Sequence, residues 1–390
     1  MPSSVNNMTK EQAYQLIAAL HEMTTGQAVA TPTDLSSFIS VAQSTLQAGY
    51  DPVLNSISQV LQKTLIAVRP YSRKFKGLEV TAEQWGGIIR KLNFLEEDPV
   101  ESKVYDLTDG TSIDQWEINK PKVFQTHYVG SDIWTKFFTI TVDQLNSAFS
   151  NESAFGEFMS GVFTHFANLK EQYLEDMSRT CICNLIAAKI DAAGDVFHAL
   201  TEYNTETGLS LSATDVRQAE YYGPFIKWLY AKLENFSDKF TERSVLFQEA
   251  ITNKTIVRHT PKELQRLYMI SEFLNSIRAE VLADTYNEGL LTLGDVEAVN
   301  FWQSITEPTT IKVTPVGIDS NGEIATGNAV SETAVIGLLC DRDAMGYNVY
   351  DESTYSTGVN ARGKYYNIFH HFDYQYQNDL TEKALVICLD

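Results

Sequence analysis

From about Ser153 to Ala193 the chain runs some forty residues without a proline, and its apolar residues recur at helical spacing. They are Phe155, Phe158/Met159, Val162, Phe166, Leu169, Tyr173, Met177, Ile182, Leu185/Ile186 and Ile190. At 1.5 Å per residue this is one helix of roughly 60 Å, longer than a small domain is wide. The pattern lacks the strict heptad seam of a coiled coil. Gly156 and Gly161 weaken its first turns. A helix of that length suits the spine of an elongated molecule better than a part of a compact enzyme.

The elements around this spine mix helix and strand, and an α+β fold is expected. With 390 residues, two or more lobes are expected. At the start, Thr9 and Gln12 form a capping box, Tyr14, Ile17 and Leu20 follow at helical spacing, and Gly26 is a stop. Ser/Thr-rich sequence leads to a weaker helix at Pro52–Leu65. So few bulky apolar residues read as an arm that finds its burial on another surface. VFQTHYVG (123–130) and WTKFFTITV (134–142) read as strands. Beyond the spine, helix is predicted at 214–236, broken at Gly223-Pro224. The best-marked helix start is HTPKELQRLYMISEFL, where Thr260 caps, Pro261 takes the first helical position and Glu263 closes the box. VEAVNFW (296–302) and TTIKVTPVG (309–317) read as strands, DSNGE as a turn before helix-to-strand sequence ending at Cys340, and the tail as β.

Charge narrows the partners. Fifty Asp and Glu face thirty Lys and Arg, a formal net charge of −20. Such a surface repels phosphates and argues against a sequence-reading nucleic-acid binder, though not against a wall beside packed nucleic acid. One basic segment, RPYSRKFKG (69–77), interleaves Arg69, Arg73, Lys74 and Lys76 with Tyr71 and Phe75. That pattern can line a nucleic-acid groove. The stretch 96–117 is its opposite, with Glu101, Asp106, Asp109 and Asp114 among eight acids against Lys103. Within it, VYDLTDGTSIDQWEI alternates around Asp109-Gly110, the pattern of a β-hairpin. With only Tyr105, Leu107, Ile113 and Trp116 as apolar content, such a hairpin needs a surface to lie on.

Candidate chemistry is sparse. Asp341-Arg342-Asp343 ends an apolar strand, and an Asp-x-Asp there can hold a divalent metal. The intervening arginine is a poor neighbour for a cation, so a capped turn leading into Met345-Gly346 is the expected role. Asp341→Ala is expected to harm assembly or stability, with no divalent metal bound there. His370 and His371 sit side by side on a strand and point to opposite faces, so they cannot share an ion. Cys181-Ile-Cys183 lacks zinc-knuckle spacing. With Cys340 and Cys388, these thiols are expected as small apolar residues in a reduced cytosol. There is no nucleophile elbow, phosphate loop or dinucleotide fingerprint. No catalytic, cofactor or metal site is expected. The first residues have no signal-peptide pattern and no apolar run is long enough to cross a bilayer, so a soluble intracellular product is expected.

In this order (arm, acidic hairpin, spine helix, mixed lobe, terminal β segments) the chain resembles the major capsid proteins of tailed bacteriophages, especially small short-tailed ones. Their fold also forms the floor of herpesvirus shells. FFTITVDQLNSAFSN followed by the spine resembles the family's strand-to-spine junction. HTPKELQRLYMISEFLNSIRAEVLADTYN followed by GDVEAVNFW resembles its central helix-then-strand block. The stretch from LLCDRDAMGYN to the last strand ALVICLD resembles its terminal region. The resemblance spans most of residues 120–390.

The resemblance implies an N-terminal arm at 1–66 and an extended-loop region at 67–122. It implies a peripheral domain from 123–240 with 347–378, and an axial domain from 241–346 with 379–390. It further implies no enzymatic activity, and self-assembly as hexamers and pentamers into an icosahedral or prolate head shell around double-stranded DNA. The shell would be built in the host cytoplasm with a portal protein, and scaffolding or decoration proteins as further partners. DNA would meet it only by non-specific proximity. Some members crosslink through a Lys–Asn isopeptide bond, and no such pair is assigned in this sequence. Arg69, Arg73, Lys74, Lys76, Glu101, Asp106, Asp109, Asp114, Trp116, Asp341, Arg342 and Asp343 are the expected inter-subunit contacts. Two rival readings are a metal-dependent glycosyltransferase using Asp341 and Asp343, and a nucleic-acid-binding structural protein centred on Arg69–Lys76.

Overall fold

The computed structural model describes residues 8–63, 71–80, 88–95, 99, 101–102, 104, 107–113, 116, 118, 120–129, 132–251, 256–282, 295–318, 321 and 323–390. Three helices, α1 (Lys10–Thr25), α2 (Leu35–Gln47) and α3 (Tyr50–Lys63), precede strands β1 (Ile88–Phe94), β2 (Val123–Val129) and β3 (Asp132–Thr141). Helix α4 (Val142–Ala148) leads to α5 (Glu152–Ala192), 41 residues long. Then come β4 (Val196–His198), α6 (Ala199–Thr207), α7 (Ala219–Thr241), β5 (Gln265–Ile270), α8 (Ser271–Leu282) and β6 (Asp295–Val299). Short strands β7 (Ile311–Val313), β8 (Val316–Ile318), β9 (Ile324–Thr326) and β10 (Val330–Glu332) precede β11 (Val335–Asp341), β12 (Met345–Ser356), β13 (Tyr365–Asn378) and β14 (Ala384–Cys388).

These elements form two compact units. The first contains Met1–Gly87, Gly130–Met177 and Asn348–Gln375; the second contains Ile88–Val129, Ser178–Tyr347 and Tyr376–Asp390. Helix α5 is the predicted spine, and its residues up to Met177 belong to the first unit. From Cys181 to Ala187 nearly every consecutive residue is buried, the mark of a helix enclosed on all sides.

The first unit corrects the expectation of an arm. Thr9 caps α1 through the predicted box, and Gly26 ends it at φ 72°, a conformation glycine adopts without steric cost. Ile17, Leu20, Phe38, Val53, Leu54 and Ile57 then pack with Leu145, Phe149, Phe155, Met159, Tyr366 and Ile368 in one core. The stretch therefore buries its apolar residues within its own chain. Few are needed, because each helix commits them to one face. Helix α2 escapes the sequence reading because it lies in Ser/Thr-rich sequence, yet Asp34 caps it by accepting from the Ser37 N–H at 2.7 Å.

The unit's sheet has the order β12-β13-β3, with β13 antiparallel to β3 from Tyr365↔Thr141 to Tyr374↔Asp132. Alternation along β13 buries Tyr366, Ile368, His370 and Phe372 and turns their neighbours outward. His370 and His371 thus face opposite sides. The His370 ring stands edge-on to Phe166 at 4.3 Å, and its Nδ1 lies 2.7 Å from the Thr354 hydroxyl. Burial, helped by Lys170 and His371, pushes this imidazole down to about 3.

The sign of the pH effect follows. Above about pH 6.5 the neutral ring costs nothing, but below it the unfolded chain gains a proton that the folded chain refuses. One such proton weakens folding by about 1.4 kcal/mol per pH unit. Between pH 7.5 and 5 the protein is expected to lose about 2 kcal/mol more than its His370→Leu variant, read from denaturant midpoints. Equal losses in the two would dismiss the assignment.

The second unit is built on a five-stranded sheet, β4-β14-β11-β5-β6. Strand β11 is antiparallel to both β14 and β5, while β4 and β6 run parallel to their neighbours. Every residue of β11 is buried. Strand β5 overturns the predicted helix start at Thr260. Residues 262–264 make one 3₁₀ turn, Gln265–Ile270 extend between β11 and β6, and helix resumes only at Ser271. Capping and helix propensity are worth about 1 kcal/mol. Burying Leu267, Tyr268, Met269 and Ile270 between two strands is worth roughly 2 kcal/mol for each side chain, so packing wins.

Two further expectations are corrected here. Gly223-Pro224 does not break α7, which carries Pro224 inside it because Phe225, Ile226, Leu229, Leu233 and Phe240 bury one continuous face. After the DSNGE turn, β9 and β10 stand where helix was expected, and they pair with β8 and β7 of the stretch read as strand. All four cysteines are buried free thiols, and burial pushes Cys181 and Cys183 up to about 12. No described helix is long and apolar enough to cross a membrane.

Candidate functional site

The Asp341-Arg342-Asp343 turn closes β11 with a 3₁₀ turn at Arg342–Ala344. Asp341 is buried, and both its carboxylate oxygens are taken. Oδ1 accepts from the Asp343 N–H at 2.8 Å, and Oδ2 accepts from the Thr260 hydroxyl at 2.6 Å. Thr260, read in the sequence as a helix cap, thus ties the start of β5 to the end of β11. Arg342 and Asp343 are exposed. The carboxylate pair does not converge, which fits the capped turn. Asp341→Ala would strip both donors of their acceptor. Among the described residues, no group of three or more His, Cys, Asp or Glu is placed to hold a metal.

The basic segment lies along the acidic side of α5 within the first unit. The Tyr71 N–H donates to Asn168 at 2.8 Å and its hydroxyl to Glu175 at 2.8 Å. The Arg73 N–H donates to Glu171 at 3.0 Å, and its guanidinium pairs with Glu171 and Glu79. Phe75 is buried at φ 61°. The basic-aromatic pattern is therefore a docking strip for this chain's own helix, which leaves Arg73 little to offer a nucleic acid or a second subunit. Lys74 is half-buried. Lys76 opens a 3₁₀ turn, its side chain outside the described residues, as is Arg69.

The acidic stretch is carried by a ribbon of the second unit. Strands β1 and β2 pair from Ile88↔Val129 to Phe94↔Val123, and the Leu95 N–H extends the ladder to the Lys122 carbonyl at 2.9 Å. The Asp109-Gly110 turn forms as predicted, with Gly110 at φ 87° and the Thr111 N–H donating to the Thr108 carbonyl. The paired strands, however, lie at 88–94 and 123–129, and no strand occurs among the described residues between 96 and 117. Glu101 and Asp109 are exposed, as is Trp116; Asp106 and Asp114 lie outside the described residues. Leu107 and Ile118 are 71% and 80% exposed.

Sequence reading missed a charge cluster at the root of this ribbon. Lys91 Nζ lies 2.7 Å from Asp379 Oδ2 and also pairs with Glu382, which Arg258 meets at 3.2 Å. Burial alone would lower the Lys91 ammonium, but the two carboxylates more than reverse this and hold it above the ordinary lysine value. Burial would likewise raise Asp379, yet Lys91 and Thr381 keep it below the usual carboxylate range. For Glu382 burial wins, and its carboxyl is raised. Lys91 and Asp379 are separated by 288 positions in sequence, so no local pattern announces the cluster.

A second missed residue, Lys189 of α5, is completely buried. Its ammonium donates to Asp195 at 2.7 Å and to the Phe247 and Leu380 carbonyls at 3.4 Å each.

The family model of Phi29-like phage major capsid proteins matches residues 5–388. No curated protein matches the sequence. Among solved structures, the chain is similar to one from the capsid of Staphylococcus phage Andhra, at 8% identity and a TM-score of 0.54. That match covers 84% of this chain and 86% of the other. A chain from native bacteriophage P68, in a structure of its head fiber and inner core protein, is 10% identical with a TM-score of 0.48. It covers 82% of this chain and 85% of that one. The Andhra match is one of shared fold without shared sequence.

Proposed function

The chain belongs to the family of Phi29-like phage major capsid proteins, a structural protein of the head shell with the tailed-phage capsid fold, and from that premise we propose how its copies assemble. Hexamers and pentamers of this chain close the shell, and the excursion at residues 95–122 lies across a neighbouring copy. The observation that carries this reading is the exposure of Leu107 and Ile118 between the two paired strands. Glu101, Asp109 and Trp116 on the same excursion join that contact, with Asp106 and Asp114. Arg69, Lys74 and Lys76 of the neighbour supply opposite charge, whereas Arg73 serves within its own subunit. The exposed Arg342 and Asp343 meet a further copy, and Asp341 holds their turn.

The first compact unit corresponds in this reading to the peripheral domain and most of the second to the axial domain. Assembly takes place in the host cytoplasm with a portal protein and with scaffolding or decoration proteins. A net charge of −20 suits a wall that packed double-stranded DNA slides past. The role is structural, not enzymatic. Nothing in the geometry favours a glycosyltransferase, whose metal would need the oxygens that Thr260 and Asp343 already occupy.

Electron micrographs and sedimentation of the expressed protein test the reading. Concentrated wild-type protein is expected as shells, rings or capsomers. Leu107→Asp/Ile118→Asp is expected to remain as subunits with unchanged melting. Shells formed by that variant at wild-type yield would remove the excursion from the contact, and a wild type that stays monomeric at every concentration would count against self-assembly.

A further inference from the structure

The β1–β2 ribbon is held to the second unit in an unusual way. Among the described residues its two strands pair with each other and join none of the five strands of the main sheet. The outward face carries Leu92, Phe94 and Val123, all exposed. The inward face places Asn93 opposite Phe124 and Lys91 opposite Thr126, with Tyr128 following. Against it lies a cavity of about 420 Å³, lined by Phe124, Thr126 and Tyr128 together with Cys181, Asn184 and Val316. Beside this cavity a charge cluster ties the ribbon down.

That charge is arranged to receive one group from the ribbon. Asp379 Oδ1 is held by the Thr381 N–H at 2.9 Å and the Thr381 hydroxyl at 2.6 Å, which leaves Oδ2 facing Lys91. Arg258 reaches Glu382 and also donates to the Thr381 hydroxyl at 3.1 Å, so the receiving side is braced without the ribbon. Tyr128 lies against the same two acids, which add to burial in raising its phenol. A buried ion pair is commonly no more stabilising than apolar residues of the same size, and its best-attested use is to fix one arrangement among several. Among the described residues, Lys91 is the ribbon's one cation in this cluster.

We propose that Lys91 and the Asp379–Glu382–Arg258 group form a latch that fixes the β1–β2 ribbon on the second unit, and that the ribbon detaches as one piece, before the five-stranded sheet opens. The latch sets the direction in which residues 95–122 leave the body. It stands on the geometry of the second unit, whichever surface the excursion meets.

Hydrogen exchange on the unassembled full-length chain tests this. Lys91→Met keeps the side chain's stem and removes its charge. The amides of residues 91–94 and 123–128 are expected to exchange at least about tenfold faster, with those of β5, β11 and β14 within about twofold of wild type. Glu382→Gln, which keeps shape and removes one acid, is expected to shift the same amides by about threefold. If Lys91→Met does not fold, Glu382→Gln decides by the same criterion. Unchanged ribbon amides would overturn the latch, and so would equal loosening of ribbon and sheet, since the cluster would then be a general stabiliser.

Discussion

Lys189→Ala is expected to destabilise the protein by about 3–5 kcal/mol, because it strands a buried carboxylate rather than merely deleting a contact. Asp195 would lose its 2.7 Å partner, and the Phe247 and Leu380 carbonyls would lose a donor at the same point. Glu249, 3.8 Å from the ammonium and already raised by burial, would lose its attraction as well. The four groups come from three stretches of the second unit, so the loss should be felt well beyond one contact. Lys189→Met/Asp195→Leu removes both charges and fills the space, and is expected to recover more than half of the loss. Denaturant titration of the three proteins at pH 7 measures this. A single variant costing under about 1 kcal/mol, or a double variant no better than the single, would show that the ammonium is not the tie described here.

Phe38→Ala is expected to cost about 3–5 kcal/mol, and it matters where that loss is seen. The ring is fully buried, 6.0 Å from Tyr14 and 5.8 Å from Phe155, in a core shared by α1, α2 and α5. If the N-terminal helices pack within their own subunit, unassembled protein carries the whole penalty. Were they an arm exchanged between subunits, the unassembled chain would melt as before and only the shell would weaken. Thermal melting of unassembled protein therefore separates the two arrangements, and an unshifted melt would restore the arm.

What was legible in the sequence had local causes. The forty-residue period, the Thr9 capping box, the β-branched run at 134–142 and the terminal strands are each written within a few turns or one strand of chain. The helix predicted at Thr260 shows where this stops. Its cap, first-turn proline and acidic box are all present, yet Leu267–Ile270 lie between two strands that the local sequence does not mention. The same holds for the charged residues. Arg73 and Lys91 look alike as exposed cations in a list, but one lies on Glu171 and the other on Asp379.

The sequence by itself determined the spine helix, the alternation that turns His370 and His371 apart, the acidic balance, and the order of elements that resembles a capsid subunit. Each rests on backbone geometry or net charge, which neighbours in sequence specify. Only the tertiary structure decided that the N-terminal helices are core, that residues 265–270 are strand, and that Asp341 is a buried acceptor. It also decided that a lysine on a two-stranded ribbon closes onto an aspartate 288 positions away. Burial free energies of a few kcal/mol outweigh local preferences of about one, and they depend on which distant surfaces meet.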